Sequence, residues 1–166
     1  MKPILPVLLA AAALAACSTT GQAVGPNVSP PVARPSAAPG LDWILNAEED
    51  SARLIYGTPE SDDMRLSLEC RGGQVPELGL VAVGPRGAPA EIVITSGGKT
   101  HRYPALSEDE EMSGGVLLMA RARKTDPVIV AFRETGWLSV GPAGGAENLI
   151  PQHNTSAVED FFEWCK

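Results

Sequence analysis

The sequence predicts a mainly β domain with a smaller helical part (α+β), built as an antiparallel β-sandwich or a small barrel with a C-terminal capping helix. Three observations lead to this prediction. Short apolar or alternating runs recur along residues 41–166, Gly- and Pro-containing turns separate them, and a helical apolar stripe lies near the end of the chain. Short strands at such spacing are typical of sandwiches and small barrels.

Eight strands are predicted from these runs. The clearest is Met64–Arg71, in which apolar and polar residues alternate without exception, so that Cys70 shares the inward face with Leu66 and Leu68. The others are Asp42–Ala47, Arg53–Tyr56, Glu77–Val83, Glu91–Thr95, Lys99–Tyr103, Val116–Arg123 and Trp137–Val140.

A first helix is predicted after residue 126. Asp126 offers an N-cap, Pro127 suits the first helical position, and Gly136 suits the C-terminal end. Val128–Val130 is rich in β-branched residues and equally fits a strand, which is the alternative.

A second helix is predicted at the end of the chain. Ser156 and Glu159 match a capping box. The apolar residues that follow are spaced i, i+3, i+4 and i+7, as on one face of a helix. They are Val158, Phe161, Phe162 and Cys165.

Residues 1–16 have the features of a signal peptide, with Lys2 ahead of an apolar run that is too short to cross a bilayer core of ~30 Å. The run ends in Leu14-Ala15-Ala16-Cys17, which resembles the lipobox of bacterial lipoproteins. This resemblance implies cleavage before Cys17 by signal peptidase II, and attachment of diacylglycerol and acyl groups such as palmitate to Cys17. An ordinary secretory signal is the alternative.

Residues 17–40 are predicted to be a lipidated Pro/Ala/Gly-rich tether that leads to one globular domain, residues 41–166. After Cys17 the tether carries a single charge, Arg34, and its prolines favour an extended chain of ~3.1 Å per residue. Because Ser18 and not Asp follows Cys17, the lipoprotein resemblance implies the outer membrane, at the periplasmic face or the cell surface. The inner membrane and a released form are the alternatives.

Cys70 and Cys165 both lie on predicted apolar faces, and an exported protein meets an oxidising compartment. A structural disulfide between them is therefore expected. A metal site is the alternative, but it would need more ligands than His101 and His153 supply.

The charge balance and the motifs favour neither nucleic-acid binding nor catalysis. The chain has 20 acidic and 13 basic residues, a net charge of −7, which suits neither nucleic acid nor anionic lipid. Ser96-Gly97-Gly98-Lys99-Thr100 resembles the end of a P-loop, but Val93 stands where its first glycine belongs, so a hairpin turn is expected. The acidic clusters lack EF-hand spacing, and there is no G-x-S-x-G motif. No enzyme activity, cofactor or metal is expected.

Several residues of the domain form a recurring pattern, namely Trp43, Tyr56-Gly57-x-Pro59-x-Ser61-Asp62, Cys70, Phe132-x-x-Thr135-Gly136 and Phe161-x-x-x-Cys165. In this pattern the domain resembles a group of small proteobacterial lipoproteins without an assigned activity. Ser96-Gly97 is followed by Tyr103. In this respect the domain also resembles the lipoprotein inhibitors of C-type lysozyme, which have an exposed Ser-Gly-x-x-Tyr loop, although here the tyrosine comes three residues later than in that pattern.

The sequence therefore favours an envelope lipoprotein that is anchored to the membrane by its lipid. Its β-rich domain is expected to be a binding or accessory module for a protein partner. The alternative is an inhibitor or modulator of a periplasmic or extracellular hydrolase. In either case Ser96, Gly97, Lys99 and Tyr103 are the candidate binding residues.

Overall fold

The computed structural model describes residues 34–72, 76–111, 114–141 and 146–166. Cys17 and the predicted leader lie outside these ranges, so lipidation and signal cleavage stay predictions. The described residues contain no helix that is both long and apolar enough to cross a membrane. The elements are β1 (Asp42–Ala47), β2 (Ser51–Gly57), β3 (Met64–Arg71), β4 (Glu77–Gly84), β5 (Glu91–Ser96), β6 (Lys99–Pro104), β7 (Leu106–Glu110), β8 (Gly115–Arg123), α1 (Pro127–Thr135), β9 (Leu138–Gly141), β10 (Glu147–Leu149) and α2 (Ala157–Trp164).

The strands form two antiparallel sheets. The larger sheet has the order β1-β2-β3-β4-β8-β7 and the smaller one β10-β9-β5-β6. β5 and β6 lie over β8, and β9 lies over β4, while α1 contacts β5 and β6 and α2 contacts β1 and β2. Since the two sheets do not join, the predicted mainly β class is confirmed and the architecture is the sandwich, not the closed barrel.

All eight predicted strands are present, and their ends differ from the prediction by at most two residues. The sequence analysis missed β7 and β10. The side chains of β7 are mostly exposed and acidic, so the strand shows no apolar alternation. It lies at the edge of the larger sheet, where backbone hydrogen bonds to β8 hold it.

The helix prediction for α1 is confirmed, and the strand alternative at Val128–Val130 is wrong. Pro127 is the first helical residue, and Gly136 ends the helix in a left-handed conformation (φ 72°), with its N–H donating to the carbonyl of Phe132 at 2.8 Å. Asp126 has extended backbone but makes no side-chain cap. Its carboxylate accepts from Tyr103 Oη and from the N–H of Arg123 instead.

The apolar stripe of the last helix is also confirmed, because Val158, Phe161, Phe162 and Cys165 are all buried. The predicted capping box of Ser156 and Glu159 is wrong. Ser156 already has a helical backbone and makes no side-chain cap. Asn154 takes this role, since its Oδ1 accepts from the N–H of Ala157 at 3.2 Å.

An aromatic cluster fills the space between β1, β2 and the two helices. The ring of Trp43 lies 5.0 Å from that of Tyr56 and 5.1 Å from that of Phe132. Phe132 contacts Phe162 at 6.0 Å, which in turn contacts Phe161 at 5.3 Å. Aromatic contacts of this kind stabilise a core by more than the burial of apolar area alone would.

The predicted disulfide between Cys70 and Cys165 is present, with a Cα–Cα distance of 6.1 Å. It joins β3 to the residue that follows α2 and therefore fixes the last helix against the larger sheet. Lys124 Nζ also donates to the carbonyl of Cys165 at 2.5 Å. The disulfide thus ties the end of the chain to β3, and the Lys124 hydrogen bond ties it to the segment after β8.

The last part of the predicted tether contacts the domain. Arg34 Nη2 donates to the carbonyl of Pro151 at 3.4 Å, and the N–H of Gly40 donates to Gln152 Oε1 at 3.0 Å. Residues 34–40 therefore lie beside the segment that leads into α2.

Candidate functional site

Gly97 and Gly98 form the turn between β5 and β6. Their φ angles are 52° and 73°, as a two-residue hairpin turn with two left-handed residues requires. Thr95 pairs with Thr100 and Ser96 with Lys99 on either side of the turn. The hairpin predicted in place of a P-loop is confirmed.

The four predicted binding residues of this region do not form one exposed loop. Ser96 is 1 % exposed, and its Oγ donates to the carbonyl of Trp137 at 2.8 Å and lies 2.9 Å from Thr135 Oγ1. Tyr103 is 3 % exposed, and its hydroxyl donates to Asp126 at 3.0 Å. Gly97 and Lys99 are exposed. Ser96 and Tyr103 therefore hold the hairpin in the domain, and only the turn is open to a partner.

Burial raises the pKa of the Tyr103 hydroxyl, and its hydrogen bond to the Asp126 carboxylate raises this pKa further. Burial also raises the pKa of Tyr56, against the smaller opposite effect of its hydrogen bond to the backbone of Ile150. Both tyrosines are therefore held as neutral phenols inside the fold.

The two histidines occupy different surroundings. His101 is exposed, and its ring lies 4.4 Å from that of Tyr103. His153 Nδ1 lies 3.4 Å from Asp42 Oδ2, a neighbour that the sequence did not reveal. The same oxygen accepts the backbone N–H groups of His153 and Asn154 at 2.8 and 3.0 Å. Asp42 therefore anchors the segment before α2.

The acidic clusters of the sequence, residues 48–50, 60–63 and 108–111, lie at the surface. Within the described ranges, no three His, Cys, Asp or Glu side chains converge as the ligands of a metal ion would. Asp63 is bonded to Thr58 and to Arg65, and Asp109 lies 3.9 Å from Arg86. These carboxylates are engaged in local turn and ion-pair contacts.

A row of five apolar side chains and one serine crosses the face of the larger sheet that is turned away from the smaller sheet. The strand register places one residue of each strand in this row. Leu106 is 71 % exposed, Ser67 is buried, and the other four are half-buried. In order across the sheet, this outer row is Ile44, Ile55, Ser67, Val81, Met119 and Leu106.

A groove of about 810 Å³ lies beside this row. Val81 and Met119 line it, together with Gly79, whose missing side chain leaves an open space between Glu69 and Arg121 in the neighbouring strands. At its rim, Glu69 Oε1 lies 2.5 Å from Arg53 Nη2, and Glu77 Oε2 lies 3.3 Å from Arg121 Nη1. The groove thus has apolar walls and two ion pairs at its rim.

Sequence analysis missed the outer row, although one sign of it was present. In Glu77–Gly84, apolar residues occur on both faces of the strand. Val81 faces outward, while its neighbours Leu80 and Ala82 face the core. In an antiparallel sheet the solvent face is ordinarily polar, so this pattern already indicated a second apolar face.

No protein-family model, no curated protein and no solved structure matches this chain. The lipoprotein resemblances of the sequence therefore stay predictions. The geometry of the outer row and its groove is the basis for the function proposed next.

Proposed function

We propose that this protein is an envelope lipoprotein that is anchored to the outer membrane through Cys17, and that its sandwich domain is a binding module for a protein partner. The observation that carries the proposal is the outer row, which extends over all six strands of the larger sheet. Partly exposed apolar side chains beside a groove, here Val81, Met119 and Leu106, indicate an interaction site. The partner therefore docks on the outer row.

The charges beside the row define the chemistry of the partner. Leu106, the most exposed apolar side chain of the row, is followed two residues later, on the same face of β7, by Glu108. A partner that presents a large apolar side chain to the groove, next to Lys or Arg residues facing β7, matches this surface in shape and charge.

A second copy of this chain fits the surface less well. Each copy carries a net charge of −7, so that two copies repel each other at long range. A basic partner would be attracted, and its association would slow as salt is added.

The interaction can be tested by placing a photo-crosslinking amino acid at Leu106 and at Met119 in the full chain, with Arg102 on β6 as the control position. We expect both outer positions, but not Arg102, to give one discrete adduct with the same protein. Val81→Lys should abolish that adduct, whereas Val93→Lys on β5 of the smaller sheet should leave it unchanged.

Once identified, the purified partner should bind the wild-type chain, and its affinity should fall with salt and in Val81→Lys. Adducts that form only from Arg102, or adducts that contain only a second copy of the chain, would contradict the proposal. So would equal effects of Val81→Lys and Val93→Lys.

The anchor has its own test. Cys17→Ala should abolish partitioning of the chain into the detergent phase, because no acyl chain would be attached, and two or three acyl chains are what make such anchoring stable. Wild-type protein is the control. Partitioning of Cys17→Ala equal to that of wild type would show that the lipobox interpretation is wrong.

The alternative function is inhibition of a hydrolase, and the β5–β6 turn is the observation that favours it. Gly97 and Lys99 are exposed on a turn that Ser96 holds rigidly against Thr135 and Trp137. A rigid, exposed turn loses little conformational entropy when an enzyme binds it. A crosslinker at Lys99 that captures a hydrolase, while Leu106 and Met119 give no adduct, would favour this function over the first.

A further inference from the structure

A second cavity lies at the flank of the sandwich and shares no residue with the groove of the outer row. Its volume is about 360 Å³, within the range of roughly 300–1,000 Å³ typical of small-molecule sites. Three core residues form its apolar wall, Ile92, Leu118 and Val140. Val83, Arg65 and Glu147 also line it, so residues of both sheets contribute.

Arg65 is the residue that offers a hydrogen-bond donor at this pocket. Its Nη2 lies 3.5 Å from Asp63 Oδ2, and its Nε lies 3.8 Å from Glu147 Oε1. The Nε atom is buried, and no acceptor in the described part of the chain forms a hydrogen bond with it. A buried N–H without an acceptor is costly, so a ligand oxygen at this position would be favoured.

The surrounding charges select the kind of ligand. Two carboxylates, those of Asp63 and Glu147, already lie beside the one guanidinium. An added anion would be attracted by one positive charge and repelled by two negative ones. A neutral carbonyl or hydroxyl oxygen would accept from Nε–H without this repulsion.

We propose that this pocket binds a neutral amphiphile, with its aliphatic chain over Val83 and Pro85 and its carbonyl or hydroxyl oxygen accepting from Arg65 Nε–H. Fatty amides, fatty alcohols and the ester-linked acyl chains of neutral lipids share this chemistry. The inference is independent of the protein partner proposed above, since neither the residues nor the experiment overlap.

The test uses the full chain with Cys17→Ser, to exclude its own acyl groups, labelled with ¹⁵N and titrated with decanamide or decanoate at neutral pH. We expect saturable shifts of the amide signals of Val83, Leu118 and Val140 with decanamide. Decanoate should bind about tenfold more weakly or worse, because the carboxylates of Asp63 and Glu147 repel its negative charge.

Three variants complete the experiment. Arg65→Met should weaken decanamide binding about tenfold, because the donor is lost while the aliphatic stem is kept. Val83→Trp should block the pocket from its partly exposed side while thermal melting shows that the fold is kept. Arg102→Met, which breaks the exposed ion pair with Glu91 in the smaller sheet, is the matched control and should bind as wild type does.

The proposal is overturned if decanamide shows no saturable binding up to its solubility limit, or if decanoate binds equally well. It is also overturned if the shifts lie at the outer row, or if Arg65→Met binds like Arg102→Met. Shifts at the pocket that are lost in Val83→Trp and reduced in Arg65→Met support it.

Discussion

The hydroxyl group of Tyr56 bonds both backbone groups of Ile150, donating to the carbonyl oxygen at 3.0 Å and accepting the N–H at 3.2 Å. Tyr56 lies on β2 of the larger sheet, and Ile150 follows β10 of the smaller one. One buried side chain therefore satisfies two buried backbone groups and connects the two layers of the sandwich.

Tyr56→Phe should lower the free energy of unfolding by about 2 kcal/mol or more, because it leaves the N–H and the C=O of Ile150 without partners in the core. Tyr103→Phe is the matched control. The loss of stability in Tyr103→Phe should be smaller, because the Asp126 carboxylate still accepts a hydrogen bond from the N–H of Arg123. Chemical denaturation of both variants measures the difference. An equal or larger loss in Tyr103→Phe would contradict the role given to Tyr56.

Removal of the disulfide with the double variant Cys70→Ala/Cys165→Ala should destabilise the domain by about 2–5 kcal/mol, the usual cost for a native bridge in a small secreted domain. The same loss should appear when the parent protein is reduced. Thiol titration of the denatured, unreduced Cys17→Ser chain should find no free thiol. Two titratable thiols would show that the bridge does not form.

Gly97→Ala and Gly98→Ala separate steric contact from backbone strain. Both glycines have positive φ, so each substitution should cost roughly 1 kcal/mol through strain. A Cβ on Gly97 would also lie 2.9 Å from the Cβ of Ala131 on α1, whereas a Cβ on Gly98 would meet nothing within 4 Å. Gly97→Ala should therefore be clearly less stable in thermal melting. Equal melting temperatures would refute the close contact between turn and helix.

The two tyrosines should make the domain sensitive to alkali. Both have a raised pKa in the folded state, while an unfolded tyrosine ionises at about pH 10. The folded state thus retains protons that the unfolded chain loses, so this contribution to stability is complete below about pH 10 and falls as the pH rises further.

The near-ultraviolet absorbance of phenolate provides the measurement. Since the chain has 2 tyrosines, folded protein just above pH 10 should show little phenolate, and added denaturant should release the full signal. In Tyr103→Phe the released signal should be half as large. If the folded protein already showed half of the full phenolate signal at about pH 10, the ordinary pKa of tyrosine, the hydroxyls would not be buried as described.

The strands and helices that the sequence predicted share a strong local pattern. Met64–Arg71 alternates at every position, and the stripe of Val158, Phe161 and Phe162 has helical spacing, so burial of one face determines each element. The start of α2 was harder to predict, because Asn154 and Ser156 can both cap a helix and only the path of the backbone decides between them.

The candidate site depends on pairing between distant residues and could not be predicted in the same way. Ile44 and Leu106 belong to one row only because six strands lie in a particular order and register. Leu106 begins β7, an edge strand without apolar alternation. The contact of Asp42 with His153 likewise joins the two ends of the domain, where no local pattern relates the residues.

The position of β8 has a consequence for how the chain folds. β1 to β4 follow one another as neighbours, but the second edge of β4 pairs with β8, which comes after β5, β6 and β7 in the chain. Until Gly115–Arg123 is available, β4 has an unpaired edge and apolar residues on both faces, which is the kind of strand that aggregates edge to edge. We expect a chaperone that keeps the unfolded chain in solution to protect this edge, and chains truncated before β8 to aggregate.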